Sequence, residues 1–376
     1  MNTAIGTHIA QPEGFKAFVP APFPPKGILN LSLPLLQKYD QARGLVGKLD
    51  GATHQLPDVD FFLQMFVLKD ATSSAQIEGT KATMVDAIEM EAGIAEGETD
   101  ANDILHYTKA LHYGIKRLSD LPMSLRLVEE LHHELMLGAR ATHFADPGHF
   151  RKTQNWIDGT KPSDAKYVPP PVSAMMRALS DLENFLHDEA AALPLVQTAL
   201  MHAQFETIHP FLDGNGRTGR LLVTLQLYRH GLLEKPVLFL SSFFKRHQKA
   251  YYNRLDGYHA GNIEAWLDFF SEGVAQTATE AIEICNQIAK IRDEDMRKIQ
   301  ILAKRESESG MKVLNKLYSQ PVVSSAMVMK WTGFTRAGAQ QVIDRLVKLG
   351  VLVPRTEEKT YGRVYDYRRY LGLFIA

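Results

Sequence analysis

The chain has 376 residues, of which 45% are hydrophobic and 23% are charged, and its formal net charge is −1. This composition is ordinary for a soluble globular protein, and the length predicts two or three domains. The single cysteine, Cys285, excludes an internal disulfide and favours a reducing, cytoplasmic compartment. The first residues lack the features of a signal peptide and no apolar run approaches bilayer-spanning length, so we expect no membrane partner.

The charge is unevenly distributed along the chain. Residues 311–376 contain five lysines and six arginines against four acidic residues, a net charge of +7, which leaves −8 for residues 1–310. A basic module on an acidic body indicates an anionic partner for the C-terminal region. The arginines that favour phosphate contacts there are Arg336, Arg345, Arg355, Arg363, Arg368 and Arg369.

The N-terminal part of the chain predicts helices after an extended arm. Five prolines between positions 12 and 25 predict that residues 1–30 are extended rather than packed. Apolar periodicity predicts helices from about residue 33, at 58–71, 83–92, 104–118 and 125–137, the last closed by Gly138. Residues 148–171 instead contain two short β-prone pieces around a polar turn, which predict an irregular hairpin.

The rest of the chain predicts further helices and a small C-terminal domain. The helices are expected at 172–187, 193–208, 217–230, 251–258, 263–275 and 277–304. Beyond them the pattern predicts helices at 312–318, 324–331 and 336–349, then strands at 351–353 and 364–367 around a polar turn at 355–363. This order is typical of a winged helix-turn-helix, and a helical dimerisation or packing domain is the alternative.

The stretch from His209 to Arg220, HPFLDGNGRTGR, carries the strongest chemical signal. Small residues let backbone N–H groups converge on a phosphate, and the positive end of the apolar helix that follows adds to the attraction. The chain has no phosphate-loop, HExxH or CxxC pattern that would compete with it. His132 and His133 point about 100° apart on a helix, so we expect a structural role for them rather than a shared metal.

This loop resembles the motif HPFx[DE]GNGRxxR of the Fic family of nucleotidyl transferases, and every specified position is met. The resemblance extends from about residue 35 to about residue 275. It implies a mainly α fold: a Fic-type helical bundle core with a short β-hairpin flap, here followed by a C-terminal winged helix-turn-helix. The expected divisions are an N-terminal helical region at 1–110, a Fic catalytic core at 111–275, a linking helix at 276–305 and the winged helix-turn-helix at 306–376.

The resemblance implies that His209 is the general base, which takes a proton from a Ser, Thr or Tyr hydroxyl of a target protein. Asp213 would hold Mg²⁺, an ion that prefers oxygen ligands and bridges phosphates. Attack at the α-phosphorus of ATP would leave AMP on the hydroxyl and release magnesium pyrophosphate. Phe211 would anchor the loop in the core.

Other residues of the loop are implied to hold the phosphates of ATP. The glycines and asparagine at 214–216 would form a nest around the α- and β-phosphates, and two guanidinium groups would bind the β- and γ-phosphates. The implied ATP-binding residues are Gly214, Asn215, Gly216, Arg217, Thr218, Gly219, Arg220, Tyr251 and Tyr252.

Two further features correspond to parts of the family's site. Residues 165–168 resemble the family's flap, which aligns a target segment by strand pairing. Tyr251 and Tyr252 correspond to aromatics that border adenine in relatives, with plain helix packing as the alternative. Relatives often have Asn where this chain has His259, so the contact at the adenine edge stays open.

Residues 74–79, SAQIEG, resemble the inhibitory motif [ST]xxxE[GN] that some family members carry N-terminal to the core. The resemblance implies that Glu78, with Ser74 at the head of the motif, pairs with Arg220. That pair would occupy the guanidinium that the γ-phosphate needs. The alternative is that Glu78 is a surface carboxylate and Ser74 an ordinary helix start.

The leading expectation is an autoinhibited protein adenylyltransferase that uses ATP and Mg²⁺. Removal of AMP from a modified protein at the same site is an alternative, with Glu78 orienting a water. A DNA-binding regulator with a secondary transferase activity is another. The expected partners are a protein with a hydroxyl acceptor, which includes the chain itself, DNA through residues 306–376, and a second copy of the chain in a homodimer.

Overall fold

A computed structural model describes residues 5–25, 27, 30–91, 100–137, 146–188, 190–355 and 363–375. Backbone contacts divide the chain into a larger unit, Met1–Gly47 with Val67–Ala278, and a smaller unit, Lys48–Phe66 with Thr279–Ala376. The expected boundaries at 110, 275 and 305 stay predictions. No helix of the described residues is long and apolar enough to cross a membrane.

The fold is mainly helical, as the sequence predicted. The helices up to the end of the larger unit are α1 Leu33–Thr53, α2 Val59–Ile77, α3 Met84–Glu91, α4 Ala101–Arg117, α5 Leu125–Met136, α6 Val172–His187, α7 Pro194–Ile208, α8 Asn215–Arg229, α9 Ser241–Arg246, α10 Gln248–His259 and α11 Ile263–Gln300. α7 and α8 pack against each other, and nearly all of their side chains are buried on every side. A helix that is enclosed in this way gives the loop at its end a rigid support.

Several of the predicted helices differ from the structure in length, and the helix expected at 312–318 begins at Lys304. The break expected between residues 275 and 277 is absent, because α11 runs through it as one helix of 38 residues. That expectation was wrong, and the local sequence, Val274-Ala275-Gln276-Thr277, contains no proline or glycine to end a helix. α2 runs past the expected end at residue 71 to Ile77, so the segment SAQIEG at 74–79 begins inside a helix. The expected C-cap at Gly138 lies outside the described residues.

The N-terminal arm is a packed hairpin, and the prediction of an extended arm was wrong. Strands β1 Gly6–Ala10 and β2 Lys16–Pro20 pair antiparallel, with Gly6 opposite Pro20. Phe18 is buried, and its N–H donates to the carbonyl of Val168 at 2.9 Å. Pro12 lies in the turn and Pro20 ends a strand, where a missing N–H costs little. The prolines therefore flank the strands instead of preventing them.

The hairpin predicted within residues 148–171 is present, and its residues 155–168 are called the flap here. Ile157 and Tyr167 form an antiparallel bridge, with the N–H of Ile157 donating to the Tyr167 carbonyl at 2.9 Å. The Asp164 carboxylate closes the polar turn by accepting from the backbone N–H groups of Thr160 and Lys161. A side-chain acceptor inside a tight turn satisfies donors that the short strands leave unpaired.

The remaining elements belong to the smaller unit. They are α12 Lys304–Leu317, β3 Val322–Ser324, α13 Ser325–Thr332, α14 Arg336–Lys348, β4 Val353–Pro354, β5 Val364–Asp366 and α15 Arg368–Ile375. The three strands form an antiparallel sheet in the order β3, β5, β4. β3 and α15 were not predicted, and residues 356–362 of the polar turn lie outside the described residues. The identification as a winged helix-turn-helix stays a prediction.

Local signals in α14 were correct. Thr335 caps the helix by accepting from the N–H of Gly338, and Gly350 follows it with a positive φ of 70°. The arginine expectation changes, however, because Arg345, Arg355 and Arg369 each lie within 4 Å of a carboxylate in the same unit. These three guanidinium groups are therefore paired within their own unit, and they are less available to bind a phosphate.

Candidate active site

The loop between α7 and α8 is held in a strained but tightly bonded conformation. His209 ends α7 with left-handed dihedral angles, φ 48° and ψ 62°, and Gly214 precedes α8 with φ 76°. The Asn215 side chain ties the loop to itself, since it accepts from the N–H of Phe211 and donates to the same residue's carbonyl, both at 2.8 Å. Such a conformation persists only where the surroundings over-determine it.

His132 of α5 braces this loop from below. Its ring stacks on Phe211 at 3.6 Å between centroids, with the planes 2° from parallel. Its Nδ1 accepts from the N–H of Gly148 at 2.9 Å, and its Nε2 donates to the Asp213 carbonyl at 3.0 Å. Burial lowers the pKa of His132 to about 4, so the ring is neutral at neutral pH. The structural role expected for this histidine agrees with these contacts.

His209 is surrounded by groups that fix its backbone and keep its ring neutral. Its carbonyl accepts from Arg151 Nε at 3.1 Å and from Asn155 Nδ2 at 3.2 Å. Asn155 Nδ2 also lies 3.2 Å from His209 Nδ1. Burial, together with the nearby Arg151 charge, lowers the pKa of His209 to about 4. A neutral imidazole has a lone pair that can accept a proton.

Glu78 and Arg220 form a close ion pair, as the inhibitory motif implied. Arg220 Nη2 lies 2.7 Å from Glu78 Oε1 and 3.0 Å from the Ser74 carbonyl, while its Nε donates to Ser74 Oγ at 2.9 Å. Burial raises and the Arg220 charge lowers the pKa of Glu78, and the net shift is downward. Glu78 is therefore ionised at neutral pH, and Ser74 serves as a second anchor for the guanidinium.

The backbone explains why the motif ends in glycine. α2 ends at Ile77, and Gly79 has φ 95°, a left-handed conformation that Gly or Asn adopts most readily. The turn places the Glu78 carboxylate directly over Gly216, where a side chain would collide with it. Glu78 thus covers the start of α8, which is the position expected for phosphate.

These groups line a cavity of about 310 Å³, at the lower end of the size of small-molecule sites. It brings together six of the predicted residues, namely Glu78, His209, Gly216, Arg220, Tyr251 and Tyr252. The flap and α10 supply the other walls through Ile157, Asp158, Lys166, Tyr167, Leu255, Asp256 and His259.

The other predicted residues surround the cavity without lining it. Asp213 is half-buried and lies 3.8 Å from Arg217, while Arg217 is buried and faces Asp103 at 3.6 Å. Thr218 donates from its hydroxyl to the Gly214 carbonyl at 2.8 Å, which strengthens the first turn of α8. The buried members of this group are Ser74, Gly214, Asn215, Arg217, Thr218 and Gly219.

The two tyrosines of α10 differ in their surroundings. Tyr251 is buried, stacks on Phe244 and shares a hydrogen bond of 2.8 Å with His202 Nε2. Tyr252 keeps 40% of its accessible surface. His259 stacks on Tyr167 at 4.4 Å and lies 3.0 Å from the Thr207 hydroxyl, so it is part of the packing that supports the flap.

Sequence reasoning missed Glu206, a carboxylate in the cavity wall. Its Oε1 is buried and has no hydrogen-bond partner among the described residues. Burial raises the pKa of Glu206 to about 7. Glu206 lies in the last turn of α7 and lines the same cavity as His209, which follows the helix with left-handed dihedral angles, so helical spacing in the sequence could not have revealed this arrangement. Arg151 and Asn155 were also missed, and no local pattern marks them.

Structural comparison identifies the fold. A Fic family protein from Desulfovibrio desulfuricans G20 superposes with a TM-score of 0.59 at 16% identity, covering 89% of this chain and 96% of that one. Fic-1 (residues 134–508) from C. elegans gives 0.53 at 20% identity, covering 67% of this chain and 73% of that one. The architecture is therefore that of Fic proteins.

Sequence comparison finds two segments of the chain that are similar to Fic/DOC domains. Residues 36–116 match the Fic/DOC family N-terminal model and residues 122–227 match the Fic/DOC family model. The chain thus contains a segment similar to the Fic/DOC N-terminal domain and a segment similar to the Fic/DOC domain.

Curated relatives carry the name "Protein adenylyltransferase Fic". The Drosophila grimshawi protein is 28% identical over 216 residues, which cover 56% of this chain and 39% of that protein. The Drosophila yakuba protein is 24% identical over 309 residues, covering 79% of this chain and 56% of that protein. The chain spans about half or less of the length of these relatives.

Proposed function

We propose that this protein is an adenylyltransferase that moves AMP from ATP to a Ser, Thr or Tyr hydroxyl of a protein, and that Glu78 inhibits it. The observation that carries the proposal is the Glu78 carboxylate, which pairs with Arg220 at 2.7 Å inside the cavity that His209 also lines. The names of the curated relatives support the same reaction.

In this reaction His209 is the general base. Its neutral ring takes the proton of the acceptor hydroxyl as the hydroxyl oxygen bonds to the α-phosphorus of ATP, and the bond to the pyrophosphate oxygen breaks. The backbone at 214–216 and the N-terminus of α8 bind the α- and β-phosphates. Arg217 and Arg220 bind the β- and γ-phosphates, and Tyr251 with Tyr252 borders the adenine.

Asp213 fits a magnesium ion in this scheme. Its side chain keeps 32% of its accessibility, and its Oδ1 accepts from the N–H of Gly214 at 2.6 Å. This bond fixes the carboxylate next to the start of α8. One carboxylate is enough because Mg²⁺ keeps several waters and takes its other ligands from phosphates. When bound, the ion would neutralise charge on the phosphates.

Inhibition follows from competition for one guanidinium. Arg220 is 2% exposed, and its donors are directed to Ser74 and Glu78. A γ-phosphate that approached Arg220 would meet the Glu78 carboxylate first, and the two anions would repel each other. Glu78 keeps 40% of its accessibility, so it can turn away when the contact is broken.

The experiment that tests this proposal is labelling of the purified chain with isotopically labelled ATP and Mg²⁺. Glu78→Gly should raise self-labelling about 10- to 100-fold, because it removes the charge-assisted pair and leaves Arg220 able to bind the γ-phosphate. His209→Ala should reduce labelling by at least about 100-fold in either background, because a positioned base contributes at least that much. Mass spectrometry should find one AMP on a hydroxyl residue.

The control is Glu272→Gly, which makes the same change at an exposed carboxylate of α11. It should label like the unaltered chain. Equal labelling of the unaltered chain and Glu78→Gly would refute inhibition, and labelling that survives His209→Ala would refute the assigned base.

The second candidate function is removal of AMP at the same site. Glu78 is ionised, keeps 40% of its accessibility and lines the cavity with His209, so it is able to orient a water. Incubation of an AMP-modified protein with the unaltered chain should then release AMP, and Glu78→Gln should stop the release. Release that persists in Glu78→Gln would exclude this role.

Three further proposals concern DNA binding, a homodimer and the location of the protein. DNA contact through residues 306–376 is supported by the net charge of +7 over residues 311–376, and homodimer formation by the family resemblance alone. The proposal of a cytoplasmic location is supported by cysteine usage.

A further inference from the structure

A buried carboxylate on α4, Asp103, contacts two parts of the proposed site at once. Its Oδ2 accepts from the Thr80 hydroxyl at 3.2 Å, and its Oδ1 lies 3.6 Å from Arg217 Nη1. Asp103 is 5% exposed, Thr80 8% and Arg217 5%. At such low exposure a charge is tolerated because it is paired, so these contacts restrict where the three groups lie.

Thr80 belongs to the turn that presents Glu78. Its N–H donates to the Ala75 carbonyl at 3.2 Å, and the N–H of Glu78 donates to the same carbonyl at 3.1 Å. Gly79, between them, has the left-handed conformation that reverses the chain. The Thr80 hydroxyl therefore gives this turn a tether to α4, and the tether lies two residues from the carboxylate that pairs with Arg220.

Arg217 is held only loosely. The Asp103 contact of 3.6 Å and the Asp213 contact of 3.8 Å are both longer than hydrogen bonds, and Nη2 donates to the weak acceptor Met136 Sδ at 3.4 Å. Its Nε is buried and has no hydrogen-bond partner among the described residues. A buried guanidinium with an unsatisfied donor has capacity for an anionic ligand.

We propose that Asp103 is a positioning residue that couples the turn carrying Glu78 to Arg217. Through Thr80 it keeps Glu78 on Arg220, and through its charge it orients Arg217 toward the phosphates. The two arginines at the start of α8 thus each face a carboxylate: Arg220 faces Glu78, which belongs to the turn, and Arg217 faces Asp103, which accepts from Thr80 of the same turn. This inference rests on the proposed function, since it assigns the control of that same site.

The coupling of Asp103 to Glu78 through Thr80 is tested by removing the Thr80 hydroxyl. Thr80→Val keeps the shape and loses the donor, while Thr80→Ser keeps the donor. In the chain with Glu78, Thr80→Val should raise self-labelling about 3- to 10-fold, the effect expected for one hydrogen bond. Thr80→Ser should stay within about twofold of the unaltered chain. In the Glu78→Gly background Thr80→Val should also have less than about a twofold effect, because no carboxylate remains to be held.

A matched control lies three residues further along. Thr83 donates from its hydroxyl to Asp86 at 2.8 Å at the exposed start of α3, so Thr83→Val removes the same kind of bond away from both arginines. It should leave labelling unchanged within about twofold. A gain in Thr83→Val equal to that in Thr80→Val would overturn the inference, because loosening of the fold would then explain both.

The Arg217 arm is tested with Asp103→Asn in the Glu78→Gly background. The amide can still accept from Thr80 but no longer attracts the guanidinium, so the KM for ATP should rise about fivefold or more while kcat changes by less than about twofold. An unchanged KM, or a fall in kcat alone, would overturn this arm. A purely structural role would lower the melting temperature without this split between KM and kcat.

Calorimetric binding of ATP to the same full-length variants separates this inference from the proposed function. Thr80→Val should tighten ATP binding in the chain with Glu78 and leave it unchanged in the Glu78→Gly background, whether or not transfer follows. Absence of transfer in Glu78→Gly would reject the proposed reaction. No change in ATP affinity in Thr80→Val would reject the coupling.

Discussion

Two ion pairs in this chain use the same chemical groups in opposite ways. In the larger unit Arg220 is 2% exposed and its partner Glu78 is 40% exposed. In the smaller unit Arg369 is 39% exposed and its partner Asp295 is fully buried. The buried member is the arginine in the first pair and the carboxylate in the second.

This difference in exposure indicates which of the two ion pairs an anionic ligand can replace. Burial of Arg220 leaves a cation that needs an anion, and the accessible partner can be exchanged for a phosphate. Asp295 is instead saturated, since it accepts from Tyr367 and pairs with Lys298 as well as Arg369. An arginine that neutralises a buried acid of its own fold has a structural role, and counting arginines in the sequence cannot tell the two apart.

The largest expected contrast comes from removing each arginine. In the Glu78→Gly background Arg220→Ala should lower transfer at least about 100-fold, because the γ-phosphate loses a buried guanidinium. Arg369→Ala should leave transfer unchanged and lower the free energy of unfolding by about 1–3 kcal/mol, because Asp295 loses one of three partners. Labelling rates and thermal melts of both variants measure this. Loss of transfer in Arg369→Ala would break the comparison.

Acid should affect the two units differently. Burial lowers the pKa of His132, His209 and His259 to about 4 and that of His202 to about 3, whereas the unfolded value is about 6.5. The unfolded state therefore binds more protons between these values, and the stability that these histidines provide above pH 6.5 is lost as the pH falls toward 4. Glu206, whose pKa burial raises to about 7, opposes this trend, as do Asp70 and Glu129, whose pKa values burial also raises.

The measurement is a series of thermal melts between about pH 7.5 and about pH 4.5. We expect the melting temperature of the larger unit to fall by about 5 °C or more. The smaller unit contains one of the 14 histidines, His54, so its transition should shift less. A larger acid shift in the smaller unit would contradict the assignment. Transfer by Glu78→Gly should persist at about pH 6, because His209 remains neutral there.

The smallest expected effect concerns DNA. Because Arg345, Arg355 and Arg369 are already paired with carboxylates, a gel shift with the full chain should show binding weaker than about 1 µM at about 150 mM salt. Arg369→Ala should not weaken it further. Tight, salt-dependent binding that Arg369→Ala abolishes would contradict this expectation and would indicate that residues 311–376 bind nucleic acid.

The features that the sequence predicted correctly are those with a local cause. Helix periodicity located α5, α6 and α7 to within a residue or two, and the cap at Thr335 follows from one hydroxyl beside a helix start. The contact between Glu78 and Arg220 spans 142 residues, and a resemblance rather than a pattern predicted it. Its role in inhibition is a proposal that the labelling experiment decides.

The features that were missed have causes far away in the chain. The N-terminal hairpin depends on Phe18, which packs on Tyr167 and His259. The proline content of residues 1–30 predicted an extended arm because this distant contact is not visible in the sequence. Asn155 bonds His209 across 54 residues, and Arg151 bonds it across 58. No periodicity or spacing encodes such distances.

By itself, the sequence determined the helices and the composition of the loop at 209–220, because hydrophobic periodicity, caps and glycines act over a few residues. Tertiary structure decided which charges are available. It buried Arg220 beneath an accessible Glu78, placed Asp103 between Thr80 and Arg217, and enclosed Asp295 within partners of its own unit. Exposure and pairing depend on elements that meet only after folding, and they decide whether an arginine can bind a ligand or only stabilise the fold.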